Sequence, residues 1–272
     1  MEHIFKAIIL GLVQGLSEFL PVSSSGHLVI FADILKFNDS GSIAFEVLVH
    51  FGTLCSVIIA LRKEVVKLVY APYAVWIKKS EDSELIEFLN WDLYIILATI
   101  PAALAGLLFK NGIEAIFDNV LLTYFMLLCT ATMMISTKFF KYDQKKFKFG
   151  NTFVIGIAQA IAILPGISRS GSTIFTGMLL KMDREKVAKF SFLMSLPVIF
   201  GATLLKFKDL LDAPPANAEI NGLVAGTLTA FISGYFAIIW LLDIVKKGKL
   251  QIFGYYCLVV ALLGLVWKLF IC

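Results

Sequence analysis

Glu18, His27 and Arg169 are ionisable residues set in otherwise apolar sequence, each in or beside a hydroxyl-rich breaker. The first breaker is Pro21-Val22-Ser23-Ser24-Ser25-Gly26-His27, and the second is Pro165-Gly166-Ile167-Ser168-Arg169-Ser170-Gly171. Hydrocarbon satisfies neither the free backbone nor the charge of such a stretch. It persists where protein buries it or where it lines a polar cavity. Together the breakers offer a permanently charged guanidinium fork at Arg169 and hydroxyls at Ser23, Ser24, Ser25, Ser168, Ser170, Ser172 and Thr173. Half-helices expected to start near Gly26 and Gly171 add N–H groups and positive dipole ends. That donor set makes an anion site, and phosphate is its natural guest. Serines alone could simply satisfy broken backbone, but a buried Arg without an anionic partner is costly.

Three roles are open to Glu18: counter-ion of Arg169, ligand of a divalent cation bridging to phosphate, or base. Gln14 precedes it by four residues on the same helix face. His27, within three residues of Ser24, could deprotonate that serine, protonate a leaving group or attack phosphorus itself. Glu46 and His50, spaced i, i+4, either border the site or form an intrahelical pair.

The elements that must hold these groups are membrane helices. The chain has 272 residues, 59% hydrophobic and 16% charged, with a mean hydropathy of +0.86. We read an all-α polytopic membrane protein, one integral domain over 1–272 without a large extramembrane domain. The lack of a basic stripe on a polar surface excludes nucleic acid as a partner. Cys55, Cys129, Cys257 and Cys272 show no metal or disulfide spacing and read as buried small hydrophobes. The N-terminus lacks a small-residue cleavage site and is not read as a removable signal.

Six apolar runs can span a bilayer: 43–61, 92–109, 120–137, 190–206, 222–243 and 251–271. Two further regions, 2–37 and 152–181, are interrupted by the breakers and read as re-entrant helix pairs. The loops 62–91, 138–151, 181–189 and 244–250 hold 17 of the 24 basic residues. Threading the spans in order puts all four on one face, provided 152–181 returns to its own side, and that face is the cytoplasmic one. The first broken region then enters from outside and the second from inside. Segment 64–79, broken by Pro72, is expected along the inner surface, with Trp91 and Trp267 as interfacial anchors.

An internal repeat agrees with this threading. At an offset of 145, Gly11, Gln14, Ser23, Ser25, Gly26, Lys36, Phe45 and Leu48 match Gly156, Gln159, Ser168, Ser170, Gly171, Lys181, Phe190 and Leu193. At an offset of 128, Thr99, Ala102 and Gly106 match Thr227, Ala230 and Gly234. Repeats of about 1–110 and 150–245 inserted from opposite sides form an inverted-topology pair, whose broken tips meet near the midplane.

The run Gln14-x-x-x-Glu18 followed by Pro21 to His27, together with Pro165 to Thr173, resembles bacterial undecaprenyl-diphosphate phosphatase of the bacitracin-resistance family. The resemblance covers essentially the whole chain, including Phe45-Glu46-Val47. It implies hydrolysis of undecaprenyl diphosphate to undecaprenyl phosphate and inorganic phosphate, which recycles the lipid carrier of peptidoglycan and confers bacitracin resistance. It also implies an inner-membrane location, a divalent metal (Mg2+ or Ca2+) and a cavity open to the outer face. Glu18 then corresponds to the essential acidic position, associated with metal or base function. Ser24 and His27 correspond to the nucleophile and acid/base, with Ser24 favoured as nucleophile, and Arg169 to the diphosphate clamp. Ser23, Ser25, Gly26, Ser168, Ser170 and Thr173 would line the phosphate pocket. Gln14 stands where the family carries Glu or Gln, and Ser25 where Thr can occur. Membrane lipid is the expected partner, and a homodimer is compatible with the sequence. The rival from another class is a transporter or flippase of a phosphorylated polyprenyl lipid, since broken helices in inverted repeats also build carriers.

Overall fold

Segments apolar on every side must close their backbone hydrogen bonds internally, and a helix does so within one segment. The computed structural model describes residues 2–35, 43–109, 112, 119–140, 145–212 and 220–270. Within them the protein is all-α, with one isolated bridge between Lys145 and Met182. The helices are α1 (Glu2–Phe19), α2 (Ser24–Leu35), α3 (Ile43–Ala60), α4 (Arg62–Pro72), α5 (Ser83–Leu108) and α6 (Val120–Ser136). They continue as α7 (Phe149–Ile161), α8 (Arg169–Leu179), α9 (Arg184–Asp212), α10 (Ile220–Lys247) and α11 (Gln251–Phe270).

Among the described residues, five stretches are long and apolar enough to cross a membrane: Ser83–Leu108, Val120–Phe139, Arg184–Leu204, Ile220–Lys247 and Gln251–Phe270. A sixth is reached if α3 is joined to the Arg62–Ile77 segment, which bends away from it by 81°. The chain is therefore a polytopic helical membrane protein. Each broken region is a helix–break–helix unit, α1–α2 and α7–α8. The α2 and α8 helices open at Ser24 and Arg169, two residues ahead of the expected starts. Ser23 and Ser168 supply the capping oxygens that let the helix begin there.

Segment 64–79 is turned across the bundle, but Pro72 does not break it. The helix widens after Pro72 into a π turn, Tyr73–Ile77, closed by Lys78 N–H donating to the Tyr73 carbonyl at 3.2 Å. Leu68, Ala71 and Ala74 face the protein, while Val66, Val69, Tyr70, Tyr73, Trp76 and Ile77 face outward.

The four basic loops meet at one end of the bundle. Lys189 pairs with Glu64 at 2.9 Å, Lys186 with Glu87 at 2.5 Å and Lys246 with Glu185 at 3.3 Å. Lys145 N–H donates to the Lys181 carbonyl at 3.0 Å, which brings in the 138–151 loop. Such exposed pairs add little stability individually, but they tie the loops together.

Small residues set the helix approach where lipid provides no hydrophobic drive. A Cβ on Gly11 of α1 would lie 2.2 Å from the Gly226 carbonyl oxygen of α10, and one on Gly156 of α7 would lie 2.6 Å from that of Ala98 in α5. Gly11 and Gly156 are 145 positions apart, and Ala98 and Gly226 are 128 apart. The residues of the two contacts are thus spaced by the same 145 and 128 positions as the sequence matches.

Two further expectations are corrected. Trp91 is no interfacial anchor: it is only 4% exposed, wedged edge-on against Phe190 at 5.6 Å and beside Phe147 at 5.3 Å. Trp267 is exposed. Of the cysteines, Cys257 is buried, Cys55 half-buried and Cys129 exposed on α6, because an outward position on a membrane helix needs only apolar character. Cys272 lies outside the described residues.

Candidate active site

Glu18 lies in the last turn of α1, just before the break, and is buried with Gln14 and Ser17 on the inner face of that helix. At Ser23 the backbone turns into the left-handed region, with φ at +70°. A non-glycine residue held there is strained and needs support. That turn starts α2: Gly26 N–H donates to Ser23 Oγ at 3.4 Å, and Ser25 Oγ lies 3.4 Å from the same atom. The second breaker repeats the pattern. Gly171 N–H donates to Ser168 Oγ at 3.1 Å, and Ser170 Oγ lies 3.3 Å away.

The two breakers touch. A Cβ on Gly26 would come within 3.4 Å of Gly166 Cα, and one on Gly171 within 3.2 Å of Pro21 Cβ. Ser170 Oγ donates to the Leu20 carbonyl at 3.3 Å. The second loop is pinned from α6, where Thr130 Oγ1 donates to the Gly166 carbonyl at 2.8 Å and accepts from Ser168 N–H at 3.0 Å. Gly166 itself has φ at +92°, a turn suited to glycine.

At this junction, Glu18 is the hub. Arg169 Nη2 donates to Glu18 Oε1 at 2.7 Å, Ser24 Oγ donates to Oε2 at 2.6 Å, and Gln14 Nε2 donates to Oε2 at 3.1 Å. The Arg169 and Glu18 side chains are 15% and 7% exposed. Arg169 Nη1, Gln14 Oε1 and Ser172 Oγ are buried without a hydrogen-bond partner among the described residues. A buried donor and acceptor left open in this way suit a polar ligand.

His27 does not pair with Ser24. Its Nδ1 lies 2.9 Å from the Ser23 carbonyl, and its Nε2 lies 2.8 Å from Tyr256 Oη on α11. Thr173 is fully buried. Its Oγ1 donates within α8 to the Arg169 and Ser170 carbonyls and lies 2.6 Å from Ser191 Oγ, so it stands beneath the junction. His50 Nδ1 meets the main-chain carbonyl of Glu46 at 2.8 Å. The junction thus brings together Glu18, Ser23, Ser24, Ser25, Gly26, Ser168, Arg169 and Ser170. Sequence reasoning missed Thr130 and Tyr256, a hydroxyl in each of two apolar helices.

For a divalent cation, the donors are hard oxygens of Glu18, Ser24 and Gln14, and the open Gln14 Oε1 is an available ligand atom. No group of three His, Cys, Asp or Glu is gathered among the described residues. One carboxylate and an amide fit a Mg2+- or Ca2+-type ion that takes its remaining oxygens from phosphate and water.

The family model described as bacitracin resistance protein BacA matches residues 7–263. The chain belongs to this family. It is 40% identical over 268 residues to an undecaprenyl-diphosphatase of Halothermothrix orenii, covering 97% of this chain and 98% of that protein. An undecaprenyl-diphosphatase of Christiangramia forsetii is 41% identical over 269 residues, with the same coverage. One of Methanobrevibacter smithii is 38% identical over 272 residues, covering 96% of both chains. The family match runs through both breakers and α6 and into α11 as far as residue 263, so it includes every residue of the junction.

Proposed function

We propose that this protein is an undecaprenyl-diphosphatase: it hydrolyses undecaprenyl diphosphate to undecaprenyl phosphate and inorganic phosphate. The membrane-embedded reaction suits its fold, since a polyprenyl tail needs apolar surroundings and a diphosphate needs a polar pocket. Bacitracin resistance follows from the family.

The observation that carries the mechanism is the shared carboxylate of Glu18, bonded by Ser24 on one oxygen and Arg169 on the other. We infer that Ser24 attacks the terminal phosphorus while Glu18 Oε2 takes its proton. The new Oγ–P bond forms as the anhydride P–O bond breaks, and undecaprenyl phosphate leaves with that oxygen and its electron pair. Glu18 passes the proton it took to the oxygen of the departing undecaprenyl phosphate and is again a carboxylate. It then takes a proton from a water molecule whose oxygen attacks the phosphoserine phosphorus. As the Oγ–P bond breaks and inorganic phosphate leaves, Glu18 returns that proton to Ser24 Oγ. Arg169 Nη1 and the N–H groups opening α2 and α8 hold the equatorial oxygens as charge develops. Glu18 and Gln14 Oε1 would hold a divalent cation, which supplies neutralisation of the phosphate charge when bound. His27, with both ring nitrogens bonded away from Ser24, serves the architecture of the first breaker in this reading.

The reciprocal packing of Gly11 on Gly226 and Gly156 on Ala98, with the matched caps at Ser23 and Ser168, supports an inverted-topology repeat of six spans and two re-entrant pairs. The gathered lysines support a cytoplasmic basic end. Phosphate release by the detergent-solubilised full chain given the diphosphate lipid, with and without chelator, tests the function. Turnover without any membrane gradient is expected, and a preparation that releases none overturns it.

A further inference from the structure

The imidazole of His27 is held at both nitrogens by groups that differ in kind. The Ser23 carbonyl can only accept, so the neutral ring carries its proton on Nδ1, which leaves Nε2 as an acceptor. A carbonyl would be repelled there; Tyr256 brings a hydroxyl at 2.8 Å. The phenol also stacks on the imidazole, with ring centroids 5.5 Å apart and planes 15° from parallel. His27 is 4% exposed, whereas Tyr256 is 45% exposed, so the phenol ring forms part of the outer surface over a buried histidine.

Through His27 this contact reaches the strained turn. The Ser23 carbonyl accepts from both Nδ1–H and the His27 backbone N–H at 3.1 Å. Ser23 is the residue with φ at +70°, and Ser24, bonded to Glu18, follows it. The next residue of α11, Cys257, approaches the Pro21 carbonyl at 3.8 Å. Helix α11 therefore supports the first breaker, as Thr130 of α6 supports the second. Helices α6 and α11 pack directly, with Gly254 against Ile135 and Ala131.

We propose that Tyr256 is a positioning residue of the diphosphatase site: its hydroxyl, donated to His27 Nε2, holds the imidazole and the Ser23 turn so that Ser24 stays aligned on Glu18. The inference rests on the function assigned above. A hydroxyl aligned less well costs rate before it costs affinity, because phosphate is held by Arg169 and helix N–H groups.

The test compares the full-length wild type with Tyr256→Phe, which keeps the stacked ring, and Tyr256→Leu, which removes it. With three histidines in the chain, 15N-histidine labelling resolves His27, assigned by loss of its signals in His27→Asn. In the wild type, His27 is expected as the Nδ1–H tautomer with a hydrogen-bonded Nε2. Tyr256→Phe should move the Nε2 signal and lower kcat on the order of tenfold, with KM within about twofold. Tyr256→Leu should lower kcat at least as far. An Nε2 signal unchanged in Tyr256→Phe overturns the inference whatever the activity, as does a shifted signal with wild-type kcat. A wild type that releases no phosphate overturns instead the diphosphatase reading beneath it.

Discussion

Arg169 and Glu18 are 151 positions apart, and their side chains meet at 2.7 Å in the buried junction of the two breakers. Neither charge is tolerable alone at that depth: removing one partner of a buried pair leaves the other uncompensated, at about 3–5 kcal/mol. The pair therefore links fold and chemistry, and variants must separate the two. Arg169→Lys keeps the charge but loses the planar fork, whose Nη2 serves Glu18 while Nη1 is open to phosphate. We expect turnover lower by roughly 100-fold or more with the unfolding temperature close to wild type. Arg169→Ala should lose both. Phosphate release and thermal unfolding, measured on the same preparations, check this; near-full activity in either variant refutes the clamp.

Ser24 and His27 are distinguished by their partners. With Ser24 bonded to Glu18 and His27 to Tyr256, Ser24→Ala should remove turnover, and a rapidly quenched reaction of the wild type should carry phosphate on Ser24. The phosphoserine survives acid and a phosphohistidine does not, so peptide mass spectrometry after acid quench gives the answer. Phosphate on the imidazole would reverse the assignment.

Thr130 is buried in α6 and its single hydroxyl serves both the Gly166 carbonyl and the Ser168 N–H. Thr130→Val preserves shape and leaves both groups unsatisfied, at about 1–3 kcal/mol each. The loss falls on the loop that carries Arg169. We expect a lower unfolding temperature and a raised KM for the diphosphate, both outside experimental scatter; a variant that matches wild type in both shows that the loop holds itself.

What the sequence made legible was local contrast. Charged or hydroxyl residues in apolar surroundings marked both halves of the junction, and clustered lysines marked loops that the fold gathers at one end. The missed residues lack that contrast. Thr130 resembles any membrane-helix threonine bonding its own backbone, and Tyr256 stands next to Tyr255 in an aromatic stretch. Trp91 was misplaced because it lies between a charged loop and an apolar run, whereas Phe147 and Phe190, distant in sequence, close over it. Ser24 and His27 are close in sequence but not partnered. A side chain at the start of α2 leans back toward the helix N-terminus and reaches α1, while His27, a turn later, faces α11.

The contact between Gly11 and Gly226 has its counterpart at Gly156 and Ala98, so equal damage is expected at both. Gly11→Ala would set a methyl group 2.2 Å from a backbone oxygen, and Gly156→Ala would set one 2.6 Å away. Backbone cannot rotate aside, so the helices must separate, at about 1–3 kcal/mol for overpacking. Each change lies more than two turns from the breaker on its own helix, and should lower the unfolding temperature by comparable amounts without altering the chemistry of the fraction that folds. Thermal unfolding in detergent, with phosphate release normalised to folded protein, provides the check. A large loss at Gly11 with none at Gly156 would show that the two halves are not packed alike.

Gln14 and Glu18 share a helix face, yet their expected roles are unequal. Glu18 accepts from Arg169, Ser24 and Gln14, whereas Gln14 donates once and leaves Oε1 open. A neutral amide is a weak cation ligand beside a carboxylate, so Gln14→Ala should cost about tenfold or less and Glu18→Gln about 100-fold or more. The divalent cation separates these causes. If Gln14 Oε1 helps hold the ion, Gln14→Ala should require more Mg2+ or Ca2+ to reach half-maximal phosphate release, while its rate at saturating metal recovers toward wild type. Glu18→Gln should stay slow at every metal concentration, because it lacks the base as well as the ligand. A Gln14→Ala enzyme with an unshifted metal titration would remove Gln14 from the ion's coordination and leave it only the task of orienting Glu18.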